Sequence, residues 1–235
     1  MEKVGIIRTI VRYPVKSMAG EELPRTDLGP QGLPGDRRYA FVQAASKTLF
    51  PWFTAREHPR LLLYRPAYED PASQRSRVLV TTPSGVALPV HGDELRRELE
   101  EESGRPLYLL GDHRGSYDIA AVSIFGLATA ARIADESGTP VDPARFRANF
   151  YVDGADAFAE ERWVGRVLRL GDAARVAVTA PDERCAIVSL DPRTGASDPG
   201  VLRAIAQRHG NRAGVYGAVL TPGTVRVGDA VTVEA

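Results

Sequence analysis

Apolar residues along this chain come mostly in short runs cut by glycine and proline, the rhythm of a protein built largely from β-strands. Val4 to Tyr13, Arg38 to Gln43, Leu61 to Arg65, Arg77 to Thr82 and Pro106 to Leu110 are β-branched or apolar runs bounded by turn residues, and they predict an N-terminal sheet. Between the last two, Gly92 to Ser103 carries apolar side chains only at Leu95 and Leu99 amid Glu and Arg, which predicts a solvated surface helix. Ser123 to Glu136 is Ala-rich, with Ile124, Leu127, Ala128, Ala131 and Ile133 at helical intervals, and predicts a buried helix. Beyond it Val164 to Leu170, Arg175 to Thr179, Cys185 to Leu190, Val215 to Leu220 and Ala230 to Val233 are again strand-like. Asp198 to His209 predicts a helix capped by Asp198, with Pro199 in its first turn. The fold class that follows is mostly β with few helices. The polar stretch GDHRGSYD at 111–118 marks a boundary, giving an N-terminal unit over 1–112 and a second over 113–235 that pack on each other.

At 235 residues the chain is long enough for one large β-rich domain or two small ones, each with its own core. Lys plus Arg equals Asp plus Glu at 30 each, so no bulk charge draws the protein to nucleic acid or an anionic membrane, and any anion site must be local. Nowhere do about 18 apolar residues run together, the length a membrane span needs. The N-terminal stretch is interrupted by Arg8 and Arg12 and carries no secretion signal, so the expected location is cytoplasmic. The single cysteine, Cys185, cannot form an internal disulfide and is either core filling or chemistry.

Four clusters place basic and polar groups in turns, where side chains can converge on a ligand. Tyr13-Pro14-Val15-Lys16-Ser17 ends the first strand, Gly35-Asp36-Arg37-Arg38 begins the second, Thr54-Ala55-Arg56 follows, and Arg145-Phe146-Arg147-Ala148-Asn149 comes after Asp142-Pro143. In an extended segment Arg145 and Arg147 would project the same way. Converging Arg, Lys, Ser, Thr and Asn donors suit a phosphate on a polar heterocycle, because forked guanidinium donors match phosphate oxygens. The competing reading is a set of surface charges paired with Asp36, Asp142 and Glu57. Neither a P-loop nor a strand-linked GxGxxG is present, which argues against a nucleotide fold.

Cys185 sits where the polar turn Pro181-Asp182-Glu183-Arg184 runs into an apolar segment. One reading is a buried small hydrophobe. The other is a thiol near a cleft, its thiolate favoured by Arg184, and thiolates are the soft ligands that soft or high-valent metals take. His58, His91, His113 and His209 are scattered, and none pairs with Cys185 at zinc-ligand spacing or forms a local nucleophile motif. Glu160-Glu161 reads as part of a solvated turn without a role.

Six motifs occur in order: YPVKS, GDR, TAR-x-x-P-R-L, RFR-x-N, RC-x-x-x-x-x-DP-x-TG and PG-x-x-x-VGD. Together they resemble the MOSC family (molybdenum cofactor sulfurase C-terminal domain) with its N-terminal β-barrel companion, and within it the amidoxime-reducing components. The resemblance extends over essentially the whole chain. It implies a β-barrel domain beside a smaller N-terminal barrel or sheet, and a molybdenum cofactor with no pyridoxal phosphate. In that family the pterin dithiolene and one cysteine hold the metal, and basic and polar side chains hold the pterin phosphate. Carried to matching positions, Cys185 is the metal ligand and the catalytic residue. Lys16, Ser17, Arg37, Thr54, Arg56, Ser123, Arg145, Arg147 and Asn149 are the cofactor-binding residues. RFRPN of the family stands here as RFRAN, Met18 follows YPVKS where relatives have Cys, and Ala121 replaces an acidic residue two positions before Ser123. The implied activity is a molybdenum-cofactor oxidoreductase reducing N-hydroxylated or N-oxygenated small molecules. A separate electron-donor protein, ferredoxin-like or cytochrome b5-like with its reductase, would serve it, since the chain ends at Ala235 without an iron–sulfur domain. The alternative is a non-catalytic carrier of the cofactor or of a persulfide on Cys185; a third is a barrel that has lost the cofactor.

Overall fold

The computed structural model describes residues 2–44, 46, 47 and 50–234. In the first half the elements are β1 (Glu2–Arg12), β2 (Glu21–Leu23), β3 (Arg25–Leu28), β4 (Tyr39–Gln43), β5 (Arg65–Tyr68), β6 (Val78–Thr81), β7 (Ala87–Pro89), α1 (Asp93–Ser103) and β8 (Leu107–Gly111). The second half holds β9 (Val122–Gly126), α2 (Leu127–Ser137), β10 (Phe150–Asp153), β11 (Val167–Leu170), β12 (Ala174–Glu183), α3 (Pro199–His209), β13 (Arg212–Thr221), β14 (Gly223–Arg226) and β15 (Ala230–Val233). The fold is mostly β, with three α-helices among the described residues.

Seven strands close into a barrel in the order β10-β9-β13-β12-β11-β15-β1, and β1 pairs back onto β10. The barrel thus draws its strands from both ends of the sequence. Every pairing in it is antiparallel except β9 with β10, and the helix α2 lies in that parallel crossover as such a connection requires. Its interior is apolar: Ile7, Ile124, Phe150, Leu168, Val176, Val215 and Val231 belong to one core, all at most 1% exposed. A second core gathers Phe41, Leu61, Tyr64, Val80, Leu95 and Leu99 from the first half, and a third packs α2 and α3 through Ile133, Val201 and Ile205 against Phe125 and Phe146.

The helix α1 buries Leu95 and Leu99 on one face, as the spacing predicts, and α3 begins at Pro199 with the Asp198 side chain accepting from the Gly200 N–H at 2.9 Å. Three expectations need correction. The helix expected from Ser123 begins only at Leu127, because residues 122–126 form β9, buried on both faces, and such a strand shows no period by which to separate it from a helix. Leu61 to Leu63 lie in a 3₁₀ turn started by Pro59, and Ala186 to Ser189 form another, so neither apolar run is a strand. Glu160 is not solvated: it is fully buried and accepts from Thr129 Oγ1 at 2.8 Å and from the Gly126 N–H at 3.3 Å, so its carboxyl caps the start of α2. Burial pushes its pKa up. Glu160→Ala strands two buried donors and should cost about 1–3 kcal/mol of stability by chemical denaturation, whereas Glu160→Gln, which keeps an acceptor, should lose less.

Among the described residues no helix is long and apolar enough to cross a membrane.

Candidate functional site

Cys185 follows the end of β12, and its side chain is exposed rather than packed into a core. It opens into a cleft of about 330 Å³. Eight of the ten expected site residues line that cleft: Lys16, Ser17, Arg37, Thr54, Arg56, Ser123, Arg147 and Cys185. They come from separate turns and, for Ser123, from β9, so the fold and not the sequence order brings them together.

Backbone conformation marks the same place. Ser17, Arg37 and Arg147 have φ of 68°, 49° and 53°, three of the five non-glycine residues with positive φ among those described. Such conformations are uncommon for residues with a Cβ and persist where surrounding contacts enforce them. Arg37 is held by Asp36, to which its Nη1 donates, and by the carbonyl of Arg147, 2.9 Å from its Nη2. Tyr13 accepts both guanidinium groups against its ring, Arg37 at 4.8 Å and Arg147 at 4.5 Å from the centroid.

The cations differ in what neutralises them. Burial alone would lower the Arg37 pKa, but the charge of Asp36 holds it above the ordinary value. Lys16 donates to Asp118 at 2.7 Å and to the Ser116 carbonyl at 2.8 Å, yet burial still pulls its pKa down. Arg147 has no hydrogen-bond acceptor for its guanidinium among the described residues, and its pKa is lowered chiefly by burial, which Tyr13 offsets in part, with a smaller lowering from the nearby charge of Arg37. A partly buried guanidinium without an acceptor, beside a second cation, favours an incoming anion. The surface-charge reading therefore describes Arg37 with Asp36 but not Arg147.

Arg145 and Asn149 do not line the cleft. Arg145 lies in a 3₁₀ turn rather than an extended segment and points away from Arg147, donating to the carbonyls of Ser189 at 3.0 Å and Val188 at 3.4 Å. Arg184 does the reverse: it donates to the Phe146 carbonyl at 2.9 Å, the Ala213 carbonyl at 2.6 Å and Asp182 at 2.8 Å. These bonds commit its guanidinium to acceptors within the protein. The turn bearing Arg147 and the turn bearing Cys185 are thus cross-strapped, each by an arginine of the other. Gly214 makes room for this strap, since a Cβ there would lie 2.9 Å from Arg184 Nη2, at a φ of +85° that already favours glycine. Asn149 is buried and donates to Asp36 at 3.0 Å and the Val11 carbonyl at 3.1 Å, while its Oδ1 accepts from Ser123 Oγ at 3.0 Å. It locks Ser123 and the Asp36–Arg37 pair in place.

Asp182 and Tyr216 are cleft residues that sequence reasoning missed. A strand-end aspartate next to an arginine looks like an ordinary surface pair, and only the fold buries it. Burial raises the Asp182 carboxyl to about 6, against the pull of Arg184 and a hydrogen bond with Tyr216. The folded chain then holds a proton that an unfolded aspartate releases near 3.8, so this group favours the fold at low pH and loses that contribution as pH rises through about 6. The stability difference between wild type and Asp182→Asn should accordingly shift against wild type between pH 4 and pH 7 in denaturant titrations. A difference constant across that range would place the carboxyl's pKa where it is unfolded.

The chain belongs to a known family. Residues 111–232 match the model described as the MOSC domain, and residues 4–118 match the MOSC N-terminal beta barrel domain. The chain is 23% identical to the molybdenum cofactor sulfurase of Bos taurus, covering 90% of this chain but 30% of the relative, so it spans under a third of that protein's length. It is 24% identical to mitochondrial amidoxime-reducing component 1 of Mus musculus, covering 98% of this chain and 83% of the relative. Among solved structures, the YUAD protein of Bacillus subtilis shares the fold, with a TM-score of 0.53 at 15% identity over 97% of this chain and 93% of the other.

Proposed function

Since this chain belongs to the MOSC family, we propose that it binds a molybdenum cofactor in the Cys185 cleft and reduces N-hydroxylated or N-oxygenated small molecules. The observation that carries the reading is the pairing of an exposed thiol with Arg147, a guanidinium without an acceptor among the described residues, in one cleft. A single exposed thiol is a donor suited to a metal whose remaining ligands arrive with a cofactor. Cys185 would be the protein's ligand; Arg147, Lys16 and Arg37 would hold the phosphate and pterin, and Ser17, Ser123, Thr54 and Arg56 would complete the wall. When bound, the cofactor supplies two-electron oxygen transfer.

Reducing N–OH to N–H breaks the N–O bond, consumes two electrons and two protons and releases water. The electrons come from a separate electron-carrier protein in the cytoplasm. The chain's own contribution is to fix the thiol through the Arg145 and Arg184 straps, to neutralise the cofactor's phosphate, and to keep a protonatable carboxyl, Asp182, in the cleft. Reduction of benzamidoxime with an artificial electron donor tests the reading directly: the loaded chain should turn over, and a loaded but inactive chain would overturn it.

The exposure of Cys185 and the similarity to sulfurases support a second reading, a carrier of the cofactor or of a persulfide. It predicts a cofactor or a persulfide on the chain without turnover.

A further inference from the structure

The polar floor of the cleft explains an anion but not its mouth. Ile119 is 61% exposed and Phe50 42% exposed, two of the few large apolar side chains that the described surface presents to water. Both line the cleft that Cys185 lines, and the half-buried Ile187, two residues beyond the thiol, joins them. The three come from distant segments: Phe50 from the connection after β4, Ile119 from that between β8 and β9, and Ile187 from the 3₁₀ turn after β12. The Phe50 ring lies against the Arg56 guanidinium, 4.7 Å from its carbon to the centroid, which fixes the ring at the cleft wall. Exposed apolar side chains scattered singly need no explanation, but two exposed and one half-buried side chain converging on one cleft do.

Resting on the function proposed above, we infer that Phe50, Ile119 and Ile187 form an apolar collar that selects substrates whose N-hydroxylated group is attached to an apolar, preferably planar, body. The cofactor's charged end would occupy the Arg147 side of the cleft. A substrate would enter past the collar with its N–OH toward Cys185 and its body against Ile119 and Phe50. The collar gains nothing from a substrate that lacks such a body, so selectivity should appear in binding and KM rather than in kcat.

The test uses two reduced products that differ only in the body, benzamide and acetamide, titrated against the purified chain by ligand-observed NMR. Wild type should bind benzamide at least about tenfold more tightly than acetamide, and Ile119→Ser should cut that preference by about fivefold, the effect of losing part of an isoleucine contact. Ile119 is exposed and makes no structural bond, so the variant should fold normally; Phe50→Ser provides an independent second reading of the same wall. In turnover, the two substitutions should raise KM for benzohydroxamic acid with little change in kcat. An unchanged benzamide preference in both variants would overturn the collar, as would a loss confined to reduction by a protein electron donor, which would make the patch a docking surface instead. Molybdenum analysis of the same samples separates the two claims. A chain without metal that still prefers benzamide sinks the proposed reaction and keeps the collar.

Discussion

Replacing Cys185 by serine is expected to abolish reduction of N-hydroxylated substrates while leaving the protein folded. A serine hydroxyl is a harder and far less acidic ligand than a thiol, so a metal that relies on thiolate donation loses its only bond to the chain. The fold should barely register the change. Cys185 is exposed, and the bonds that shape its turn are made by other groups: the Arg184 guanidinium, the Arg184 N–H on the Asn211 carbonyl at 2.9 Å, and Asn211 Nδ2 on the Arg184 carbonyl at 2.8 Å. Its stability should therefore stay within about 0.5 kcal/mol of wild type. Turnover with an artificial donor and a denaturant midpoint on the same preparation check both halves of the expectation. Normal turnover at full molybdenum content would show that Cys185 is not the ligand.

Arg147→Ala should lower the pterin bound per folded chain by about ten- to a hundredfold, corresponding to a charge-assisted contact of about 1.5–3 kcal/mol. Arg147→Lys should lose much of the same affinity, because lysine offers a point charge where arginine offers a planar fork. Arg147 is the cleanest of the three cations to remove. Arg37 neutralises Asp36, which is 2% exposed, and taking it away leaves a buried carboxylate unpaired, a change expected to destabilise by several kcal/mol. Lys16→Ala frees Asp118, which is already 60% exposed, and one backbone carbonyl, that of Ser116, and should lower pterin content without unfolding the chain. The Arg147 guanidinium has no charged or hydrogen-bonded partner to strand among the described residues, only the Tyr13 ring it lies against, so a fall in pterin there reports the ligand and not the fold. Surface charges without a ligand would shift stability by less than about 0.5 kcal/mol and leave pterin content untouched.

Much of this was readable before the fold was known, for identifiable reasons. Short alternating runs between Gly and Pro announce strands, and Leu95 and Leu99 announce a helix, because burial on one face imprints a period on the sequence. Where both faces are buried the imprint vanishes, which is why β9 reads as the beginning of α2. Of the expected site, three of the side chains that reach the cleft, Ser17, Arg37 and Arg147, sit on backbone of positive φ. Arg145 and Asn149 share the same motif but act inward, and a sequence cannot tell an arginine that binds a ligand from one that ties two turns together. Asp182, Tyr216 and the collar at Phe50 and Ile119 belong to no motif. They depend on segments 34 or more positions apart along the chain meeting around one cleft, which the fold arranges.

Metal and pterin analysis of the purified wild-type chain decides whether the Cys185 cleft holds a molybdenum cofactor. The protein should be made in cells that assemble the cofactor and load other molybdenum enzymes. One molybdenum and one pterin per folded chain is the predicted result. Folded chain from those cells carrying neither would contradict the claim.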